Sequence, residues 1–217
     1  MKPQDLVAVG YDEIADRFGE WRPGITGSPD DAWLDALFAR LPKIADVLEL
    51  GCGHGQAARR LVDAGHGYTG VDISAEQLRH ARKLVPEAEF LHADMTGLDI
   101  DPESLDAVVS LYVLGHMPRA DLPPLLQRIA GWLRPDGCFL ATYARSGWEG
   151  VQDDFLGVPM FFGSYTDEET LDLLVRAGFE IEREEVVTIV EPEVGPGSFL
   201  WVLATRGRNA RYLGPPR

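Results

Sequence analysis

The chain is short of positive charge, of lysine and of cysteine. Its 217 residues hold 35 acids against 20 basic residues, for a formal net charge of −15, and Lys2, Lys43 and Lys83 are its only lysines. A nucleic-acid-binding face needs a basic stripe to displace counterions from phosphates, and none runs through residues 1–205. The one basic cluster, RGRNARYLGPPR at 206–217, has Arg206, Arg208, Arg211 and Arg217 with no acid, and its glycine and prolines read as a flexible tail. Cys52 and Cys138 are far apart and form neither CxxC nor zinc spacing. That excludes a disulfide framework and fits a reducing cytoplasm. No apolar run reaches the length of a membrane span. The opening MKPQDLVAVGYDEIADRF carries acids where a secretory signal would be apolar, which points to a cytoplasmic location.

What is present is an ordinary globular composition, 45% hydrophobic, in a length suited to one domain. Apolar spacing predicts helices over 5–20 and 30–41, the second begun by Ser28-Pro29-Asp30-Asp31 and stopped at Pro42. From residue 45 the period changes. Strands are expected at 45–50, 67–72, 88–94, 105–115 and 136–143, with helices at 55–64, 74–85 and 121–133 between them. Ser74 is an N-cap, with Gln77 completing a capping box. A helix over 167–177 and two strands, 179–190 and 197–205, close the chain. The alternation calls for an α/β fold, a doubly wound, mostly parallel sheet with helices on both faces. The last strand is expected to run antiparallel to its neighbour.

The segment "LELGCGHGQAARRL" (48–61) sits where the first strand of this sheet hands over to a helix. In such sheets ligands bind beyond the carboxyl ends of strands. A dinucleotide loop would read GxGxxG. Here Gly51 and Gly53 fit, but Gln56 occupies the third position and the glycine falls at Gly55. Glu49 just ahead of the loop would repel a pyrophosphate and suits a cationic group. Asp72, in "GVDIS", ends the second strand at a spacing suited to a ribose diol. Asp94, in "HADM", follows the third strand and can accept from an exocyclic amino group. Acids and glycines at three successive strand ends describe a nucleoside with a cationic appendage.

These motifs, with "LDAVVSLYVLGHMPR" at the fourth strand, resemble the class I S-adenosylmethionine-dependent methyltransferases. The resemblance is strong over about residues 45–142. It implies a Rossmann-like seven-stranded sheet of order 3-2-1-4-5-7-6 with strand 7 antiparallel. It implies that Glu49, Gly51, Gly53 and Gly55 line the methionine end of S-adenosylmethionine, and that Asp72 holds the ribose. Ile73 would pack on the adenine, Asp94 and Met95 would meet its edge, and Leu111 would lie near the donor sulfur. Residues 1–44 would form a helical cap, in which Tyr11 folds over the cofactor and Arg22 forks onto its carboxylate. His116, just past the fourth strand, is the candidate general base, with positioning of the acceptor as its other reading. The stretch 146–166 reads as a glycine-rich lid whose Trp148, Met160, Phe161 and Tyr165 would contact the acceptor.

Methyl transfer is an in-line displacement that needs orientation and exclusion of water more than a base. The expected protein is therefore a methyltransferase acting on a small, partly apolar molecule by O- or N-methylation, releasing S-adenosylhomocysteine. It would act as a monomer or homodimer, with no metal, nucleic acid or membrane as partner. "SLYVLG" contains no NPPY-like tetrad, which argues against an amino group on a nucleic-acid base or glutamine. The competing readings are a cofactor-binding protein without transferase activity and an NAD-dependent oxidoreductase.

Overall fold

The computed structural model describes residues 1–207. Helix α1 (Pro3–Trp21) and helix α2 (Asp30–Phe38) precede the sheet. There follow β1 (Asp46–Leu50), α3 (Gln56–Asp63), β2 (Gly67–Asp72), α4 (Ala75–Leu84), β3 (Glu89–His92) and β4 (Leu105–Ser110). Next come α5 (Leu122–Trp132), β5 (Leu133–Ala144), β6 (Glu149–Phe155) and β7 (Val158–Gly163). Helix α6 (Asp167–Arg176), β8 (Phe179–Glu191) and β9 (Gly195–Arg206) complete the described chain.

Seven strands form one sheet in the order β3-β2-β1-β4-β5-β9-β8, and β9 runs antiparallel to both its neighbours. The order expected from the sequence counts only sheet strands. A separate two-stranded hairpin, β6–β7, takes two numbers between the fifth and sixth of them.

Alternation within the strands assigns each residue to one of two cores. Leu48, Leu50, Val108 and Phe139 pack on one face with Leu125, Leu126 and Ile129 of α5. Val47, Ala107, Val109 and Leu140 pack on the other with Trp33, Leu37, Leu61 and Leu78. Both faces are dry, so β4 reads as the unbroken apolar run "AVV". That run continues past the strand. Beyond Ser110 the chain turns through Tyr112, at φ 62, and Leu114 enters the core from a short turn rather than from β4.

Helix starts follow side-chain chemistry. Thr166 and Glu169 form a complete capping box, each side chain accepting from the other's backbone N–H. At α4 only half the box forms. Ser74 Oγ accepts from Gln77 N at 3.1 Å, while the Gln77 side chain does not return.

Two further expectations change. The stretch 146–166 is not an open loop but the hairpin β6–β7, whose two-residue turn Leu156-Gly157 has positive φ at both positions. Nothing in "FLG" announces such a turn, because Leu rarely adopts that conformation. Arg206 belongs to β9 rather than to a tail: it is buried, donates to Leu133 O and pairs with Glu103 at 2.9 Å. Arg208, Arg211 and Arg217 lie outside the described residues. Among the described residues no helix is long and apolar enough to cross a membrane.

A third core joins α1 to the hairpin: Val7, Ile14 and Trp21 against Leu156, Val158, Met160 and Phe161. Gly10 permits the close approach, since a Cβ there would meet Met160 Cε at 2.8 Å. Arg17 Nη1 donates to Leu156 O at 2.7 Å, and Trp21 Nε1 donates to Pro192 O at 2.7 Å. The hairpin and the end of β8 are thus both held by α1. Met160→Ala empties a fully buried position in this core and is expected to cost about 2–5 kcal/mol, measured by urea unfolding against the wild type.

Candidate functional site

β1 pairs with β2 on one side and β4 on the other, so the strand order reverses at its carboxyl end. The glycine loop leaves the sheet there. Gly51 and Cys52 both donate to Val71 O, at 2.7 and 3.0 Å, which pins the loop to β2. Gly51 has φ 69, and a Cβ on it would lie 2.2 Å from Val113 Cγ2, so only glycine fits. Gly53 N donates to Asp72 Oδ2 at 2.8 Å, and Ser74 N to Asp72 Oδ1 at 2.9 Å.

Above this loop lies a cavity of about 380 Å³. Glu49, Gly51, Gly53, Asp72, Ile73, Met95 and Leu111 line it from the sheet side, and Tyr11 and Arg22 from the cap. Asp94 lines a small adjoining pocket with Ile73 and Met95, and its Oδ1 accepts from Thr96 N and Oγ1, both at 2.8 Å. Gly55 does not reach the cavity. It is the left-handed N-cap of α3 and backs onto Ala81, so its bareness serves the loop-to-helix turn.

The cavity floor is acidic. Glu49 is buried and accepts from Tyr68 Oη at 2.5 Å. Burial pushes its carboxyl up to about 8, the Tyr68 hydrogen bond pulling the other way and the Asp72 and Asp30 charges adding to the rise. Burial also raises Asp72, against the pull of its backbone hydrogen bonds. Gln77 is buried at the same loop, and neither its Nε2 nor its Oε1 has a partner among the described residues. Acid groups for a cation and a diol, an apolar slot at Ile73, Met95 and Leu111, and an unpaired buried amide fit S-adenosylmethionine in volume and chemistry.

A second cavity, about 190 Å³, shares Tyr11, Phe18, Arg22, Ile25 and Tyr112 with the first. Its remaining wall includes His116, Thr142, Gln152, Phe155, Phe162, Glu191 and Phe199. His116 Nδ1 lies 3.1 Å from Phe161 O and its Nε2 2.9 Å from Tyr11 Oη. A carbonyl only accepts, so Nδ1 carries the proton and Tyr11 donates to Nε2. Burial holds the His116 pKa down, to about 4, so the ring is neutral at physiological pH. No lone pair on the ring is free to take a proton from an acceptor directly.

The four acceptor-contact residues expected from the lid lie outside both cavities. Met160 and Phe161 are buried against α1, Trp148 is 48% exposed, and Tyr165 donates to Arg119 O beneath the Arg119 guanidinium. Hairpin geometry instead presents Gln152, Phe155 and Phe162. Sequence reasoning also missed Tyr112 and Asp30. Tyr112 Oη is 2.7 Å from Ser28 Oγ and donates to Asp30 Oδ1 at 3.0 Å. Arg22 donates to Asp30 Oδ2 at 2.9 Å and stacks over the Tyr112 ring. The left-handed backbone at Tyr112 is a strain of the kind that collects at functional sites, and no local sequence signal reports it. Among the described residues no cluster of three or more His, Cys, Asp or Glu could hold a metal.

With this geometry in hand, residues 47–137 match the family model described as a methyltransferase domain. A Mycolicibacterium smegmatis protein named "Probable S-adenosylmethionine-dependent methyltransferase" is 31% identical over 138 residues, 63% of this chain and 52% of its own length. The dTDP-3-amino-3,6-dideoxy-alpha-D-glucopyranose N,N-dimethyltransferase of Streptomyces fradiae is 32% identical over 97 residues, 44% of this chain and 38% of its own. A crystal structure of a Methanosarcina mazei S-adenosylmethionine-dependent methyltransferase superposes with a TM-score of 0.71 at 18% identity, covering 79% of this chain and 97% of that one. Residues 47–137 thus carry a methyltransferase domain, similar to those of class I S-adenosylmethionine-dependent methyltransferases. It spans about half the length of the curated relatives it matches, or less.

Glu49 sets a pH dependence. The folded protein keeps this proton at pH values where an unfolded glutamate, near 4.3, has lost its own. The stability it contributes is full below about pH 4.3 and drains as pH rises towards 8. Glu49→Gln removes that drain. Urea unfolding of the ligand-free protein is expected to show the variant gaining on the wild type over this range, by up to about 1.4 kcal/mol per pH unit.

Proposed function

We propose that this protein transfers a methyl group from S-adenosylmethionine to a small, partly apolar acceptor held in the second cavity, and that it acts in the cytoplasm. The observation that carries this reading is the junction of the two cavities at Tyr11, Arg22 and Tyr112. One side is built for an adenosyl sulfonium, the other for a compact molecule among rings. A cofactor-binding protein without transferase activity would have no use for the second.

Bound in the first cavity, S-adenosylmethionine supplies a methyl group on a sulfonium, for in-line displacement by a nucleophile. The chain's own part is to bind, orient and keep water out. Glu49 faces a cationic group, and the arrival of such a charge favours loss of its proton. Asp72, its two backbone donors already in place, has acceptor capacity left for a diol. Tyr11, Phe18 and Phe155 close over the junction from α1 and the hairpin. His116 serves through Tyr11: its Nε2 accepts the hydrogen bond of the Tyr11 hydroxyl, which leaves the Tyr11 oxygen as an acceptor towards the cavities. The Streptomyces fradiae relative is named for N-methylation of an amino sugar, so a nitrogen acceptor is within the reach of similar chains.

Calorimetry with S-adenosylmethionine, S-adenosylhomocysteine and NAD tests the reading. Both adenosyl ligands are expected to bind and NAD not to. Asp72→Ala removes charge-assisted hydrogen bonds of about 1.5–3 kcal/mol, so adenosyl affinity should fall about 10- to 100-fold. Binding of NAD alone would sink the proposal.

A further inference from the structure

The second cavity carries a selectivity that its outline does not reveal. Ring-bearing side chains make up half of its lining, and Phe155 joins several of them. It packs on Phe162 at 5.5 Å, on Trp21 at 6.2 Å and on Tyr11 at 6.3 Å. One cation and one acid line the cavity, Arg22 and Glu191. They are not equivalent. Arg22 is engaged, bound to Asp30 and stacked 4.7 Å over Tyr112. The Glu191 carboxylate makes no hydrogen bond and no ion pair among the described residues; burial raises its pKa, and the charge of Arg22 across the cavity opposes that rise.

Three features point the same way. A half-buried carboxylate whose one cavity cation, Arg22, is paired with Asp30 gains from the arrival of a second cation. Aromatic faces attract cations through their quadrupoles. The third lies in the hydrogen-bond chain from Phe161 O through His116 to Tyr11. It commits the Tyr11 proton to His116 Nε2 and leaves the Tyr11 oxygen able only to accept. A ligand with N–H donors satisfies that oxygen, while a carboxylate would meet acceptor against acceptor. Asp30 and Asp72 in the adjoining cavity add to the repulsion of anions.

From these observations we infer that the acceptor is a compact primary or secondary amine. It is held as its ammonium between Glu191 and the ring faces, with one N–H directed to the Tyr11 oxygen, which makes the protein an amine N-methyltransferase. This rests on the methyltransferase reading above. The proton balance closes on residues of the wall. The ammonium gives one proton to Glu191, and the freed nitrogen pair is the nucleophile. Nitrogen gains the methyl group and the positive charge that the sulfonium loses, its bonding pair staying with sulfur. Glu191 then returns its proton to water at the cavity mouth, one proton per turnover.

The test compares ligands alike except for the end group: 2-phenylethylamine, 2-phenylethanol and phenylacetate, with the matching cyclohexyl series. Each is titrated calorimetrically into the protein saturated with S-adenosylhomocysteine. The amines are expected to bind at least about tenfold more tightly than the alcohols, and the carboxylates more weakly than either. Glu191→Gln should erase the amine preference while leaving alcohol affinity unchanged. It should also leave S-adenosylhomocysteine affinity unchanged, because Glu191 lines only the second cavity. That last measurement doubles as a check that the variant is folded, and the wild-type series stands without it. Amines that bind no better than alcohols or acids, in both series, would overturn the inference, as would a preference that survives Glu191→Gln. Failure of S-adenosylhomocysteine to bind the wild type would instead remove the methyltransferase reading, and this inference with it.

Discussion

The site hangs on how Asp72 is held. Its two carboxylate oxygens accept backbone N–H groups from opposite directions, Gly53 in the glycine loop and Ser74 at the start of α4. One partly buried side chain therefore fixes the loop after β1 against the turn after β2. Ser74 passes the constraint on. Its Oγ caps α4 by accepting from Gln77 N and donates to Asp12 at 2.6 Å, and Asp12 also accepts from Glu76 N at 3.1 Å. Asp12 belongs to α1, so the cap is anchored to the same carboxylate network that shapes the cofactor cavity. Tyr11, its chain neighbour, is thereby set at the junction of the two cavities, where it meets His116.

Electrostatics divide the labour between the cavities. The first concentrates acids, among which burial holds the proton on Glu49, a state that a cation reverses on arrival. The second is a space walled largely by rings, with a single acid, Glu191, and a neutral histidine, His116, in its lining. The strained backbone at Tyr112 lies on this boundary, and the bare backbone at Gly51 lines the first cavity.

The expectations from the sequence divide along the same line. The sheet, its helices and its antiparallel final strand were legible because alternation, caps and glycines act within a few residues. Glu49, Gly51, Gly53, Asp72, Ile73, Met95 and Leu111 line the first cavity as the sequence led one to expect, because each sits at or just past a strand end whose position the local pattern sets. The acceptor side was not. It draws on α1, the turn after β4, the hairpin and the end of β8, segments up to about 180 residues apart. Met160 and Phe161 looked like acceptor contacts because they are apolar in a glycine-rich stretch. They are apolar because α1 covers them.

By itself the sequence determined the class of fold and the acidic, glycine-lined cradle, since both follow from short-range backbone geometry at successive strand ends. The tertiary structure alone decided the rest. It made 146–166 a hairpin, turned Arg206 into the sheet, and placed Glu191 among rings with its one cavity cation, Arg22, paired to Asp30. It also converted His116 from a candidate base into the partner that sets the polarity of Tyr11. Those outcomes depend on which distant surfaces meet, and side-chain pattern along one segment carries no record of that.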